Sequence, residues 1–288
     1  MSQLHIALRR AVYSPGCLSS PLSRRCFSHY SPLRAAPKQP QPARPTQAAE
    51  RSMKVVQKEL AQIPSDLGIL EGTFITPRGK NAPSLFRTPR SFLKLHYHRI
   101  KYRFRDRLSL LVLKFTSPKE KGFLRRSLKI SRSTVKPTAV ALHRQMYTSF
   151  AEGDIASLRR ICTDGIYESF RGRIGSRPRG ETVQWELVKY NKRSRIVSDR
   201  GMKLLVDGAA VRQAVVRICS RQKLTRLRRV KNGDAEVVPG SGKEKDVVEY
   251  VVLQQRLEAW KPGPWQVWGT TGETTLQDLE EWEKKALE

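Results

Sequence analysis

Positive charge is concentrated in one stretch of the sequence, and binding of phosphate groups is the chemistry that these side chains could perform. From Arg87 to Lys136 the chain has sixteen lysine or arginine residues and two acidic ones, Asp106 and Glu120, a net charge of +14. Guanidinium and ammonium groups bind the phosphate oxygens of nucleic acids. The residues predicted to make such contacts are Arg99, Lys101, Arg103, Arg105, Arg125 and Arg126.

An apolar row runs through the same basic stretch. Between Pro89 and Pro118, apolar residues recur every three or four positions, at Leu93, Tyr97, Ile100, Phe104, Leu108, Leu111 and Phe115. This spacing matches the α-helical period and places the seven side chains on one face of a helix about 40 Å long. Such a stripe, surrounded by basic residues, could dock on a membrane surface or on a partner protein. A charged helix packed on its own domain is the alternative.

Charge and composition restrict the class of protein further. The 288 residues carry a net charge of +29, which favours a polyanion or an anionic membrane as partner. No apolar run approaches the roughly 20 residues of a spanning helix, so any membrane association should be peripheral. The four cysteines form no CxxC pair and no cluster with histidine, and Gly240–Lys243 lacks the residues of a phosphate loop. The sequence therefore predicts no metal and no cofactor.

The first residues have the composition of a mitochondrial presequence. No acidic residue precedes Glu50, arginine and serine are frequent, and Arg25 stands three positions before Ser28 in a matrix processing pattern. We therefore expect a presequence over residues 1–27 with cleavage near Phe27 and Ser28. A proline-rich extended tether with a short helix is predicted for 28–89, and the basic helical extension for 90–136.

Residues 137–288 are predicted to form an α+β domain. Helical spacing indicates one helix from Pro137 to Gly153, a second one capped by Asp154, and a third over Gly165 to Ile174. Alternation of apolar and polar residues then predicts strands. These lie at 183–187, 195–206, 211–227, 247–260 and 265–270. The order indicates an antiparallel sheet with helices on one face, followed by a short acidic helix that could fold back over basic surface.

Two segments of this domain resemble a known family. Residues 142–162, LHRQMYTSFAEGDIASLRRIC, resemble the helix, Gly-Asp turn and helix that open a domain of two mitochondrial proteins. These are the membrane-tethering subunit of the mitochondrial import motor and the large-subunit ribosomal protein L-forty-five. Residues 265–273, WQVWGTTGE, resemble that domain's last strand. With the basic stretch and the presequence, the chain resembles the family of the fungal inner-membrane mitoribosome receptor, the counterpart of that ribosomal protein.

The resemblance implies a fold, a location and partners. The fold would be a cone-shaped antiparallel sheet with packed helices, like nuclear transport factor two, over about residues 137–287. The protein would lie in the mitochondrial matrix, peripheral to the inner membrane, beside the polypeptide exit of the mitochondrial ribosome. Its partners would be mitochondrial rRNA, large-subunit ribosomal proteins and the membrane insertion machinery. It would hold the exit near the membrane for cotranslational insertion.

Two alternative functions remain from the sequence. An import-motor adaptor would share the fold without stable rRNA contact. An enzyme of the cone fold would need a histidine or carboxylate in an apolar cavity, and His143 with Glu168 or Glu186 are the candidates. His143 is more typical of a helix surface or a core, so we predict a binding protein and not an enzyme.

Overall fold

The computed structural model describes residues 65–120, 126–229 and 235–285, which belong to one compact unit, Glu50–Glu288. For Lys80 only the backbone is described. The predicted presequence, its cleavage site and the proline-rich part of the tether lie outside these residues. Arg125, one of the predicted phosphate contacts, also lies outside them.

Five helices and five strands form the described unit. The helices are α1 (Pro89–Thr116), α2 (Val135–Glu152), α3 (Ile155–Ile161), α4 (Asp164–Gly175) and α5 (Leu276–Lys285). The strands are β1 (Glu181–Lys203), β2 (Ala210–Arg229), β3 (Ala235–Val237), β4 (Glu244–Glu258) and β5 (Lys261–Thr271). A single 3-10 turn, Gly79–Asn81, precedes α1.

Local sequence signals set the helix ends. Helix α1 begins at a proline, whose fixed φ suits the first turn, and ends just before Pro118. Gly153 stops α2 with a φ of 78°, a left-handed conformation that glycine adopts at little cost. The Asp154 side chain then accepts a hydrogen bond from the Ser157 amide at 3.0 Å and caps α3. The helix predicted between Pro89 and Pro118 and the three helices predicted between Pro137 and Ile174 are confirmed. The short helix predicted before Pro64 lies outside the described residues.

The strands form one antiparallel sheet in the order β1, β2, β4, β5, with β3 paired to β2. This confirms the α+β class. The prediction of two strands over 183–187 and 195–206 was wrong, because they are parts of the single strand β1. Register shifts between Leu187 and Ser198 absorb the intervening polar residues while the ladder with β2 continues.

Alternate residues of the sheet supply two packed faces. On one face Ala214, Val216 and Ile218 of β2 pack with α2, α3 and α4 in the main core. On the opposite face Val215 of β2 packs with Val252 and Ile75. Helices α2, α3 and α4 therefore lie on one face of the sheet, as the sequence predicts for the domain, but the other face is partly covered as well.

The cover of that second face comes from residues 65–75. The Gln213 side chain accepts a hydrogen bond from the Leu70 amide at 2.9 Å and donates one to the Gly68 carbonyl at 2.6 Å. Ile75 and Thr274 exchange hydrogen bonds of 2.9 and 3.0 Å. Where the structure describes it, the predicted tether of residues 28–89 thus packs on the sheet. The segment packs on the sheet instead of forming an extended tether because three of its apolar residues are buried: Leu70, Phe74 and Ile75.

A buried ion pair joins the segment before α2 to the sheet. Arg212 donates two hydrogen bonds of 2.9 Å each to the carboxylate of Asp199, and it donates a third of 3.0 Å to the Ser131 carbonyl. Arg132 adds a second guanidinium 3.1 Å from the same carboxylate. The guanidinium groups of Arg212 and Arg132 therefore share one buried counter-charge, the carboxylate of Asp199.

Candidate functional site

The apolar stripe predicted on α1 lies at the surface. Ile100 is 70% exposed and Phe104 68%, values that a core residue does not have. The full stripe is exposed at Leu93, Tyr97, Ile100, Phe104, Leu108, Leu111 and Phe115. A contiguous apolar surface of this kind is typical of a docking site.

The opposite face of α1 is buried against the rest of the unit. Its buried residues are Leu95, His98, Tyr102, Asp106, Leu110 and Leu113. Tyr102 stacks on Phe74 with ring centroids 5.3 Å apart. Leu113 packs so closely on Gly201 of β1 that a Cβ there would lie 2.5 Å from it. The expectation of a basic surface around the rest of the helix was therefore wrong, because α1 has two apolar faces and one of them is buried.

The predicted phosphate-binding residues of α1 flank the exposed stripe. At about 100° per residue, Lys101 and Arg105 fall on one side of it, and Arg99 and Arg103 on the other. Burial, followed by the neighbouring positive charges of Arg99 and Arg107, lowers the pKa of Arg103. None of the four predicted residues forms an ion pair with a carboxylate of residues 65–120, 126–229 or 235–285. Their charges therefore face solvent beside the stripe.

Arg126 differs from those four residues because its own chain engages it. Its guanidinium lies 5.4 Å from the centre of the Phe115 ring and donates a hydrogen bond of 3.2 Å to the Ser117 carbonyl. These contacts hold Arg126 against the C-terminal end of α1. The prediction that Arg126 contacts phosphate stays a prediction, and so does that for Arg125.

The acidic helix α5 packs against the first half of α1. Lys94 lies 3.2 Å from Glu283 and 3.6 Å from Glu280, and His98 Nε2 lies 3.1 Å from Glu283. Leu279 is fully buried in the same cluster. Burial, with Glu283 opposing it, lowers the pKa of His98. The prediction of an acidic helix folded back over basic surface is confirmed.

A second contact of α1, between Asp106 and Arg200, makes the stability of the fold depend on pH. Asp106 lies 3.3 Å from Arg200 Nε, but neither atom completes a hydrogen bond among the described residues. Burial raises the pKa of Asp106 to about 6, and Ser198 and Arg200 oppose this only in part. A carboxyl whose pKa is higher in the folded state stabilises the fold at low pH. That contribution is lost as the pH rises through the folded pKa.

We therefore expect Asp106→Asn to become progressively more stable than the wild type between about pH 4 and pH 7. The gain should approach roughly 3 kcal/mol, because one pKa unit corresponds to about 1.4 kcal/mol. Urea unfolding of both proteins at a series of pH values measures it. A difference in free energy of unfolding that stays constant over this range would contradict the role of Asp106.

The enzyme candidates are not brought together as the sequence suggested. His143 is fully buried on α2, and its Nε2 lies 2.8 Å from Glu249 of β4, not near Glu168 or Glu186. Glu168 instead lies 3.6 Å from Arg171 at the surface. Glu249 also accepts hydrogen bonds from Tyr147 and Gln222. Burial raises its pKa, but the hydrogen bonds outweigh burial and leave the pKa lowered. This cluster is a buried hydrogen-bond network of the core, in which His143 Nδ1 has no hydrogen-bond partner among the described residues.

A pocket of about 480 Å³ lies next to this network. Its wall includes Tyr147 and Trp185, which stack with ring centroids 5.3 Å apart, and its rim includes Arg226, Lys243 and Lys245. Burial raises the pKa of Tyr147, and Glu249 raises it further. Sequence reasoning missed Glu249 because it lies 106 positions from His143, and no local pattern links them. Among the described residues no three histidine, cysteine or acidic side chains are grouped as a metal site.

A second basic surface, on the sheet, was not predicted. It consists of side chains of β1 and β2 that share one face, and we call it the basic strip: Lys189, Lys192, Arg195, Arg217, Arg221 and Lys223. The sequence carried a signal for it, because residues 217–229 have six basic residues and no acidic one. Within the described part of the chain, no helix is apolar over a length sufficient to cross a bilayer.

Comparison with known proteins places these features in a family. Residues 54–285 match the family described as MBA1-like protein. The chain is also 22% identical over 192 residues to the inner membrane mitoribosome receptor MBA1, mitochondrial, of Saccharomyces cerevisiae. That match covers 66% of this chain and 63% of the yeast protein, less than two thirds of its length.

One solved structure shares only a weak likeness with this chain. The intermembrane space region of chloroplast protein ARC6 aligns with 50% of this chain and 96% of its own, at 10% identity and a TM-score of 0.31. The family match supports the receptor part of the resemblance seen in the sequence, and the ribosomal-protein part stays a prediction. Because that match extends from the segment before α1 to the last residue of α5, the chain belongs to the family of MBA1-like proteins.

Proposed function

We propose that this chain is a receptor for the mitoribosome at the mitochondrial inner membrane. The observation that carries the proposal is α1, which is fixed to the folded unit by one face and, among the described residues, presents an exposed apolar stripe on the other. The family match supports it, and so does the name of the yeast relative, an inner membrane mitoribosome receptor.

The membrane side of the function is assigned to α1. The stripe inserts its apolar side chains at the lipid surface, and the flanking Arg99, Lys101, Arg103 and Arg105 lie at the level of the headgroups. Each lysine or arginine near an anionic surface contributes roughly 1 kcal/mol. The association is peripheral, on the matrix side, because the helix lies along the surface and does not cross it.

The ribosome side is assigned to contacts with rRNA and large-subunit ribosomal proteins near the polypeptide exit. Holding the exit at the membrane would favour cotranslational insertion, with the insertion machinery as a further partner. That Arg99, Lys101, Arg103, Arg105, Arg125 and Arg126 contact rRNA stays a prediction. For the first four residues, rRNA contact is an alternative to contact with the headgroups. The cone-shaped fold like nuclear transport factor two is also part of the proposal. The helices on one sheet face and the pocket beside Trp185 support it.

Fractionation of mitochondria tests the proposal. The protein should cosediment with large ribosomal subunits in moderate salt, and alkaline carbonate should release it from membranes. An import-motor adaptor would stay in the membrane fraction, and an enzyme would be found neither with the membranes nor with the ribosomes. Neither protein would pellet with the large subunits. Failure to cosediment would reject the receptor function, and resistance to carbonate would reject peripheral association.

A further inference from the structure

The exposed face of α1 cannot hold a membrane and a ribosome at the same time. Phe104 of the stripe is adjacent in sequence to Arg103 and Arg105, so a lipid surface that receives the stripe also covers these basic side chains. RNA bound to the same residues would separate the stripe from the lipid. A receptor that bridges the membrane and the ribosome therefore needs a second basic surface. This inference rests on the proposed function.

The basic strip has the geometry of such a surface. Arg195 of β1 is paired directly with Arg217 of β2, and Lys189 is paired directly with Arg221. Direct partners in an antiparallel ladder project to the same face of the sheet, with Cβ atoms about 5 Å apart. Lys192, opposite Cys219, lies between the two pairs. The six side chains therefore form two adjacent columns of mainly positive charge. Acidic residues stand beside the end of the columns: Glu186 is the β1 partner of Lys223, and Asp246 and Glu244 are the β4 partners of Arg221 and Lys223.

No part of the chain that the structure describes covers this face of the sheet at the exposed residues of the strip. The segment 65–75 covers the same face further along, around Gln213 and Val215. Beyond it, Val248 of β4, paired to Cys219, is 50% exposed. Lys189, Lys192 and Arg195 are all exposed. The strip is thus the uncovered continuation of a face that is otherwise part of the core.

The charges of the strip are only partly neutralised. Arg221 donates hydrogen bonds of 2.8 and 3.0 Å to Asp246. Arg221 also lies 3.9 Å from Glu244, while Arg217 helps to lower the pKa of Glu273 and Lys189 helps to lower that of Asp246. Within the described ranges, no carboxylate lies at ion-pair distance from Lys189, Lys192, Arg195 or Lys223. Like charges placed directly opposite each other destabilise a ladder. An anionic ligand would remove that cost.

The β1 part of the strip lies away from the contact between α1 and the sheet. Helix α1 contacts β1 at Gly201, whereas Lys189 and Arg195 lie twelve and six residues earlier on the same strand. Along β1, at about 3.3 Å per residue, Arg195 and Lys189 are roughly 20 and 40 Å from that contact. Arg217 is less remote, because it lies close enough to Glu273 to lower its pKa, and Glu273 accepts a hydrogen bond of 3.1 Å from the Arg78 amide. The β1 side chains of the strip are therefore the ones that can hold a second anionic surface while α1 is occupied.

We propose that the basic strip binds RNA phosphates while α1 occupies the membrane. RNA fits the strip better than lipid does, because the exposed large apolar residues near its basic groups, Val188, Tyr190 and Val248, are scattered and form no continuous stripe like that of α1. The ligand is recognised through its backbone, since lysine and arginine side chains on an open sheet face contact phosphates without reading bases.

A three-component flotation assay tests this inference with the full chain. Large-subunit rRNA transcribed in vitro is mixed with the protein and with vesicles of phosphatidylcholine and cardiolipin. If the surfaces are separate, the RNA floats with the vesicles. If α1 carries both contacts, vesicles displace the RNA, and this result overturns the proposal. The triple variant Lys189→Gln, Lys192→Gln, Arg195→Gln should float alone and leave the RNA behind.

Affinity measurements give the size of the effect. Each phosphate contact on single strands contributes about 0.7 log units per decade of salt, so losing three contacts should weaken RNA binding roughly 10- to 100-fold near physiological salt. Vesicle binding of this variant should stay within about twofold. The matched control, Arg99→Gln, Lys101→Gln, Arg103→Gln, should show the reverse pattern. RNA affinity lost in the control and kept in the strip variant would refute the assignment.

The failure of this inference is distinguishable from failure of the receptor function. If the wild type does not pellet with large subunits, the receptor function fails. If it pellets and the strip variant pellets equally well, only the strip is excluded. The substitutions are at exposed positions and remove the repulsion of Arg195 from Arg217, so the melting temperature should be unchanged or higher. A lower melting temperature would show that the strip is structural.

Discussion

Alanine in place of Asp199 should lower the free energy of unfolding by about 3 to 5 kcal/mol. The carboxylate is fully buried, accepts two hydrogen bonds from Arg212 and lies 3.1 Å from Arg132. Without it, two guanidinium groups face each other, and that of Arg212 remains buried without a counter-charge. Urea unfolding followed by tryptophan fluorescence measures the change.

The chain provides a matched control for this prediction. Asp246 accepts the same pair of hydrogen bonds from Arg221, at 2.8 and 3.0 Å, but both side chains are exposed. Exposed ion pairs add little to stability because water already solvates both charges. Asp246→Ala should therefore leave the unfolding curve almost unchanged. If the two substitutions lowered the free energy of unfolding equally, burial of the pair of Asp199 with Arg212 would not be the cause of its contribution to stability.

Replacing Ile100 and Phe104 together by glutamine should weaken binding to anionic vesicles by roughly two orders of magnitude. Transferring a large apolar side chain out of water contributes at least about 1.5 kcal/mol, and both side chains belong to the exposed stripe. Neither is part of the core, so the fold should be unaffected. Vesicle cosedimentation at several lipid concentrations gives the two affinities.

Leu205 offers the control for the stripe. It is fully exposed between β1 and β2, far from α1 in sequence, and it has the same apolar character. Leu205→Gln should bind vesicles like the wild type. If the stripe variant also binds like the wild type, the membrane contact must lie on another surface, and α1 would be left as a site for a protein partner.

The sequence predicts the helices well because their signals are local. Caps such as Asp154, breakers such as Gly153 and the spacing of the stripe all act within a few residues. The buried face of α1 escaped prediction for a physical reason. Leu95, Tyr102 and Leu113 repeat with the same helical spacing as the stripe, and spacing cannot rank which of two apolar faces will be buried.

The arrangements that escaped prediction depend on residues distant in sequence. Glu249 reaches His143 only because β4 lies under α2. Likewise, Lys189 and Arg221 become neighbours only through the register of β1 with β2. The two halves of β1 look separate in sequence because their connection is polar and irregular, and pairing with β2 holds them as one strand. Composition alone could have indicated the basic residues of β2, but not the face they share.

The packing of α5 on α1 has a consequence for how the protein matures. Tyr102 meets Trp282, and Leu95 packs in one cluster with Leu279, across nearly two hundred positions of the chain. Contacts between such distant segments form late, because the long intervening loop must be closed first. A chain that folds as it emerges therefore packs the end of α1 near Leu113 on β1 first, and leaves the part around Leu95 without its full cover until the last helix arrives. The stability of the first half of α1 is thus tied to the C-terminal end of the described fold.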